Sequence, residues 1–193
     1  MGAAFAQDTA KNQLALLLGA ENIPGRTTAA GQDLTFSKSP VFSANYARHL
    51  FGERTALYLE FPFAAAPRHD IQNNQTGVIA NLATLYVTPS LRLQFASHSA
   101  LYPWVSGGFG YGEYEGSQRL QGGATNPDRR QSVGTAQFGA GVDIRTPIHL
   151  LLPIGLRAEV RDYYSISAPG FGIPVDSDSQ HNVVVAGGIV LQF

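Results

Sequence analysis

Asn182-Val-Val-Val-Ala-Gly-Gly-Ile-Val-Leu-Gln-Phe193 is an apolar, valine-rich stretch that closes on an aromatic residue. Gly188, Leu191 and Phe193 are spaced as glycine, two residues, apolar, one residue, aromatic. Branched residues of this kind suit a pleated strand. The same reading repeats upstream. Period-2 alternation recurs in segments near 12–20, 40–48, 54–64, 80–95, 101–114, 133–146, 151–165 and 181–193, most of them bounded by Gly, Pro, Asn, Asp or Ser clusters. Within them one face is apolar and the other polar. Ile154, Leu156, Ala158 and Val160 oppose Gly155, Arg157, Glu159 and Arg161; Phe138, Ala140 and Val142 oppose Gln137, Gly139 and Asp143.

The connections sort by length. Long polar stretches, Glu21 to Ser39, Ala65 to Ile79, Glu115 to Ser132 and Ile166 to Gln180, follow the odd-numbered strands. Short turns near Phe51-Gly52-Glu53, Ser97-His98-Ser99 and Pro147-Ile148 follow the even ones. An up-and-down transmembrane barrel has this arrangement, with the termini and tight turns on the periplasmic side and the long loops outside. Composition agrees. The chain is 14% charged and 44% hydrophobic, against about 25% charged for a soluble globular domain. Membrane-spanning helices need about 18 to 20 apolar residues in a row, and the longest run, near Leu14 to Ala20, is far shorter. A calycin-type soluble barrel, with the apolar face inside, is the structural rival. Against it stand the sparse, glycine-rich charged face and the aromatics Tyr46, Phe63, Phe95, Tyr111, Tyr114 and Tyr164 near strand ends, where membrane girdles lie.

The closing stretch resembles the signal by which bacterial outer-membrane barrels reach their assembly machinery, carried here by Gly188, Leu191 and Phe193. Ala186 stands where a polar residue is usual. With the loop sorting, the chain after about residue 11 resembles the small eight-stranded barrels typified by the OmpA transmembrane domain, OmpX and OmpW. The resemblance implies an all-β, eight-stranded antiparallel up-and-down barrel over 12–193 in an outer membrane with periplasmic termini. Ala4-Phe5-Ala6 has a small-x-small form, so 1–11 reads as a signal-peptide remnant and N-terminal tail.

A barrel of eight strands is wide enough only to be filled by side chains. Glu60, Arg92, Asp143, Arg145, Arg157, Glu159 and Arg161 are therefore expected to share the lumen as an ion network, one guanidinium in surplus. An exchange of carboxylate partners by Arg157 or Arg161 would open a narrow water path. Gly107-Gly108-Phe109-Gly110-Tyr111-Gly112 lacks the spacing of a phosphate-binding loop and reads as room for Trp104 or Tyr86. Zero cysteines removes disulfides and thiolate chemistry, and a net charge of -1 gives no reason to expect nucleic acid. His49, His98 and His149 fall at the short turns and show no carboxylate pattern for a metal; no cofactor, metal or catalytic residue is assigned. His69 with Asp70, and His181 with Ser179, are the only histidine placements suited to chemistry at the outer surface. Arg129 and Arg130 suit lipid phosphates, Asp176-Ser-Asp178 a divalent ion, and Phe171, within the apolar Pro169 to Pro174, a lid or a partner. The expected function is a non-enzymatic structural and surface-interaction barrel. Its partners would be outer-membrane lipid, lipopolysaccharide, the assembly machinery and whatever its loops meet. A narrow channel for small or hydrophobic solutes is the alternative, and a lipid A-modifying enzyme the third reading.

Overall fold

In the computed structural model, which describes residues 11–28, 31–73, 77–95, 100–119, 123–149, 152–167 and 179–193, the chain is built from strands alone among these residues. They are β1 (Asn12–Asn22), β2 (Arg26–Thr27), β3 (Asp33–Phe36), β4 (Ser39–Phe51), β5 (Thr55–Asn73), β6 (Gly77–Val87), β7 (Ser90–Phe95), β8 (Leu101–Gly116), β9 (Arg130–His149), β10 (Pro153–Ser165) and β11 (Gln180–Gln192). β6 and β7 are two halves of one barrel strand, both pairing with β5 on one side and β8 on the other. The break falls at Thr88-Pro89, where proline has no N–H to give a ladder. Counting them as one, the ring has 8 strands. It closes where β1 pairs antiparallel with β11, from Gln13↔Gln192 to Asn22↔Val183. At that seam Gly188 is obligatory, because a Cβ there would lie 2.1 Å from the Leu16 carbonyl oxygen.

The eight expected segments are the eight walls of the ring, and the charged lumen-facing side chains of β5, β7, β9 and β10 turn inward, while β1 and β11 also send Ala15, Leu17, Val184 and Val190 inward. Gln13, Asn45, Glu60, Arg92, Trp104, Asp143, Arg157, Glu159 and Arg161 are buried, whereas Leu18, Phe42, Phe61, Leu93, Phe109, Phe138, Leu156, Val160 and Val185 are exposed on the outer wall. In water such a surface would be unstable; in hydrocarbon it is matched. The calycin arrangement, with these side chains around a cavity, is thereby excluded for this fold. Asn12 and Phe193 exchange backbone hydrogen bonds of 2.8 and 3.0 Å at the same end as the short connections.

Two stretches expected as loops are partly strand. β5 runs on to Asn73 and β6 starts at Gly77, so most of Ala65 to Ile79 is a hairpin that continues beyond the apolar band. β2 and β3, inside Glu21 to Ser39, form a small hairpin whose β3 pairs with the far end of β5. Between Ala66 and His69 the β5 register against β6 shifts by one residue at Pro67-Arg68. A bulge of this kind exchanges the two faces of a strand. Even-numbered residues of β5 point inward before it, and His69 and Ile71 after it.

Candidate functional site

The centre of the lumen holds three guanidiniums and three carboxylates. Arg157 grips Asp143 with two parallel bonds, Nε to Oδ1 at 2.7 Å and Nη2 to Oδ2 at 2.8 Å, and reaches Glu60 with Nη1 at 3.3 Å. Arg161 donates to both oxygens of Glu159 at 2.8 and 3.1 Å and to Glu60 at 3.1 Å. Arg92 lies 3.5 Å from Asp143 and 3.8 Å from Glu60, and donates to Gln13 at 2.5 Å. Neutral donors complete the carboxylates: Asn45 to both Glu159 oxygens at 3.1 Å, Gln94 and Trp104 to Asp143 at 2.8 and 3.1 Å. The Trp104 ring lies within 5.1 to 5.6 Å of all three guanidiniums, an arrangement that favours cations over an indole face. These six charged side chains are at most 5% exposed. With charges matched and multiply bonded, burial is tolerable; deleting one partner of such a pair costs about 3 to 5 kcal/mol.

Arg145 does not join them. It sits two residues nearer the strand end than Asp143, past the last carboxylate, and its exposed guanidinium lies 4.2 Å over the Tyr102 ring. The central cluster is therefore balanced three against three, and the surplus guanidinium from which a partner-exchanging gate was expected is absent from it. Room for the indole also comes from another place than expected. A Cβ at Gly141 of β9 would approach Trp104 to 2.5 Å, whereas in the glycine run of β8 it is Gly112 that meets Tyr86, at 3.3 Å.

A second polar layer, nearer the long-loop end, was not anticipated. Glu21 is fully buried and accepts from Tyr86 at 2.7 Å and Thr84 at 2.6 Å, with His69 Nε2 3.1 Å away. His69 Nδ1 is 2.8 Å from the Ser37 carbonyl, so that nitrogen carries hydrogen and points Nε2 at Glu21. Asn182 donates to Tyr86 and Tyr114, both at 2.6 Å, and Tyr114 meets Ser165 at 2.6 Å. Tyr86 stacks on Tyr163 at 4.2 Å. Above the layer Ile23, Leu34, Ile71 and Leu82 are buried as an apolar cap, two of them supplied by the stretch containing β2 and β3. The expected pairing of His69 with Asp70 does not occur, because the bulge turns His69 inward while Asp70 binds Arg68 at 2.9 Å outside. One signal was present in the sequence: Glu21 continues the inward parity of Gln13, Ala15 and Leu17 in β1.

At the rim, Arg129 and Arg130 both pair with Glu115, the second at 3.3 Å. His181 donates or accepts at Nδ1 with Asp162 at 2.7 Å on the outer wall and leans on the Tyr164 ring. At the opposite end His49 Nε2 meets the Gly52 carbonyl at 2.9 Å. Leu191 is half-buried and Phe193 exposed. Phe171, His98, Asp176 and Asp178 lie outside the described residues, as does 1–10. Among the described residues no group of three or more His, Asp and Glu is arranged to hold a metal.

No protein-family model matches the sequence, and no curated protein matches it. Solved structures do. The outer membrane protein OprG from Pseudomonas aeruginosa aligns with a TM-score of 0.52 at 14% identity, over 95% of this chain and 96% of that one. Neisserial surface protein A, NspA, aligns with a TM-score of 0.50 at 13% identity, over 94% and 96%. At such identities the likeness concerns fold alone, and the fold of this chain is that of the small bacterial outer-membrane β-barrels.

Proposed function

We propose that the protein is a non-conducting outer-membrane barrel with a structural and surface-interaction role, its termini and short turns periplasmic and its long-loop rim outside. The observation that carries this reading is the lumen. Six interlocked charges and Trp104 fill its centre, and a hydrogen-bonded layer and an apolar cap lie above them. Eight strands leave little interior beyond what such side chains fill. Work on solutes through the pore is disfavoured, so contacts with outer-leaflet lipid, lipopolysaccharide and extracellular partners fall to the rim, where loops on a rigid scaffold commonly bind. The C-terminal strand, with Gly188, Leu191 and Phe193, would be what the assembly machinery reads. No catalytic step is assigned to the barrel.

The test is conductance of the refolded protein in planar bilayers at neutral pH. The reading expects a silent bilayer from protein that is folded by heat-dependent gel mobility. Discrete, reproducible conductance steps would overturn it in favour of the channel alternative.

A further inference from the structure

The two rims of the barrel handle their cations differently. At the long-loop end exposed arginines are tied to acids, Arg68 to Asp70 at 2.9 Å and both Arg129 and Arg130 to Glu115. At the short-turn end Lys11, Arg48, Arg54 and Arg145 are all exposed, and Glu53 is the one acidic side chain outside the lumen there among the described residues. None of the four cations is held in an ion pair among the described residues. Arg145 rests on the Tyr102 ring instead. Arg48 stands on the lipid side. It follows Phe42 and Tyr46 on the outward face of β4, beside the exposed Leu50 and Phe51, and pairs in register with Asn12 of β1 and Leu59 of β5. The Tyr46 hydroxyl donates to Asn12 at 2.8 Å, which marks the level where the apolar wall gives way to polar groups. Arg54 lies in the turn from β4 to β5, two residues past Gly52, whose φ of 94° suits glycine.

From this arrangement we infer that the short-turn rim binds anionic phospholipid headgroups of the leaflet it faces, with Arg48 and Arg54 as the contacts. Position selects a lipid. A guanidinium just beyond a lipid-facing wall reaches headgroup depth, where its fork of donors matches the paired oxygens of a phosphate. Unbalanced charge selects the anionic class. A zwitterionic headgroup brings its own ammonium to a rim already in cationic surplus, whereas a headgroup of net negative charge is attracted by all four cations, Lys11 and Arg145 acting from the same rim. Only Glu53 opposes it among the described residues. That this leaflet is the periplasmic one rests on the orientation proposed above; the contact itself does not.

The test places the folded barrel in phosphatidylcholine nanodiscs in which the fraction of phosphatidylglycerol is raised stepwise. The amide resonances of Phe51 and Thr55 are followed, with Gly116 at the long-loop end as internal reference. Saturable shifts are expected at Phe51 and Thr55 and not at Gly116, with a preference for phosphatidylglycerol of roughly tenfold from two arginines near the surface. Arg48→Gln combined with Arg54→Gln should bring the preference to within about twofold of parity. Arg48→Lys with Arg54→Lys, which keeps the charge and loses the fork, should retain part of it, and Arg68→Gln on the other rim should leave it unchanged. Heat-dependent gel mobility verifies that each variant is folded, and the two single glutamine substitutions keep the test decisive if the double variant does not fold. No saturable shift, equal shifts at Gly116, or shifts unchanged in the folded glutamine variants would overturn the inference. Neither conductance nor orientation enters the readout, so this inference and the proposed function fail separately.

Discussion

The two polar layers of the lumen solve one problem by different chemistry. In the central layer Arg92, Arg157 and Arg161 face Glu60, Asp143 and Glu159, and a guanidinium keeps its charge under all ordinary conditions. Each carboxylate there is irreplaceable, since its loss strands a cation that cannot shed its proton. In the upper layer Glu21 is met by Tyr86, Thr84 and His69. Imidazole can release its proton, so a lost carboxylate leaves a neutral, partly satisfied network. A buried layer built on arginine is rigid and intolerant; one built on histidine and phenols is adjustable.

The largest expected effect breaks the central layer. Glu60 touches all three guanidiniums, so Glu60→Gln should cost about 3 to 5 kcal/mol in urea unfolding from lipid vesicles, with loss of the heat-resistant folded band at lower temperature. Adding Arg92→Met to it should recover part of the loss. A cost below that of the next substitution would erase the contrast between the layers. Glu21→Gln should cost about 1 to 3 kcal/mol, the scale of a buried hydrogen-bonding group left incompletely paired, because His69 can adopt its neutral form. The same unfolding measurement ranks the two. The smallest effect lies outside both layers: Glu115→Gln, which unties the exposed Arg129 and Arg130, should leave the unfolding midpoint unchanged, as exposed ion pairs contribute little.

Period-2 patterning made the walls legible, because a strand between lipid and a packed lumen has to alternate, and Ile154 to Arg161 does so without exception. Six of the seven expected lumen charges meet for the same reason. Arg145 obeys the parity yet escapes the cluster, since parity says which face a side chain takes and not how far along the axis its partners extend. Polar sequence outside the apolar band looks like loop even where hydrogen-bonded strand continues, so the β5 and β6 extension was hidden. Pro67 exchanged the faces of β5 in a way that composition does not announce, and with that exchange the inward turn of His69 and its meeting with Glu21 were lost to sequence reading.

Which face of each strand meets lipid is the claim on which everything else depends, and Trp104, the only tryptophan in the sequence, tests it directly. In the folded barrel its indole lies in the central layer, 1% exposed. Tryptophan fluorescence should therefore resist both iodide in the water and phospholipids brominated along their acyl chains, while protein unfolded in urea is quenched freely by iodide. Strong quenching by the brominated chains would place Trp104 on the lipid face and contradict the inward polar lumen; strong quenching by iodide in the folded state would show the lumen to be open to water.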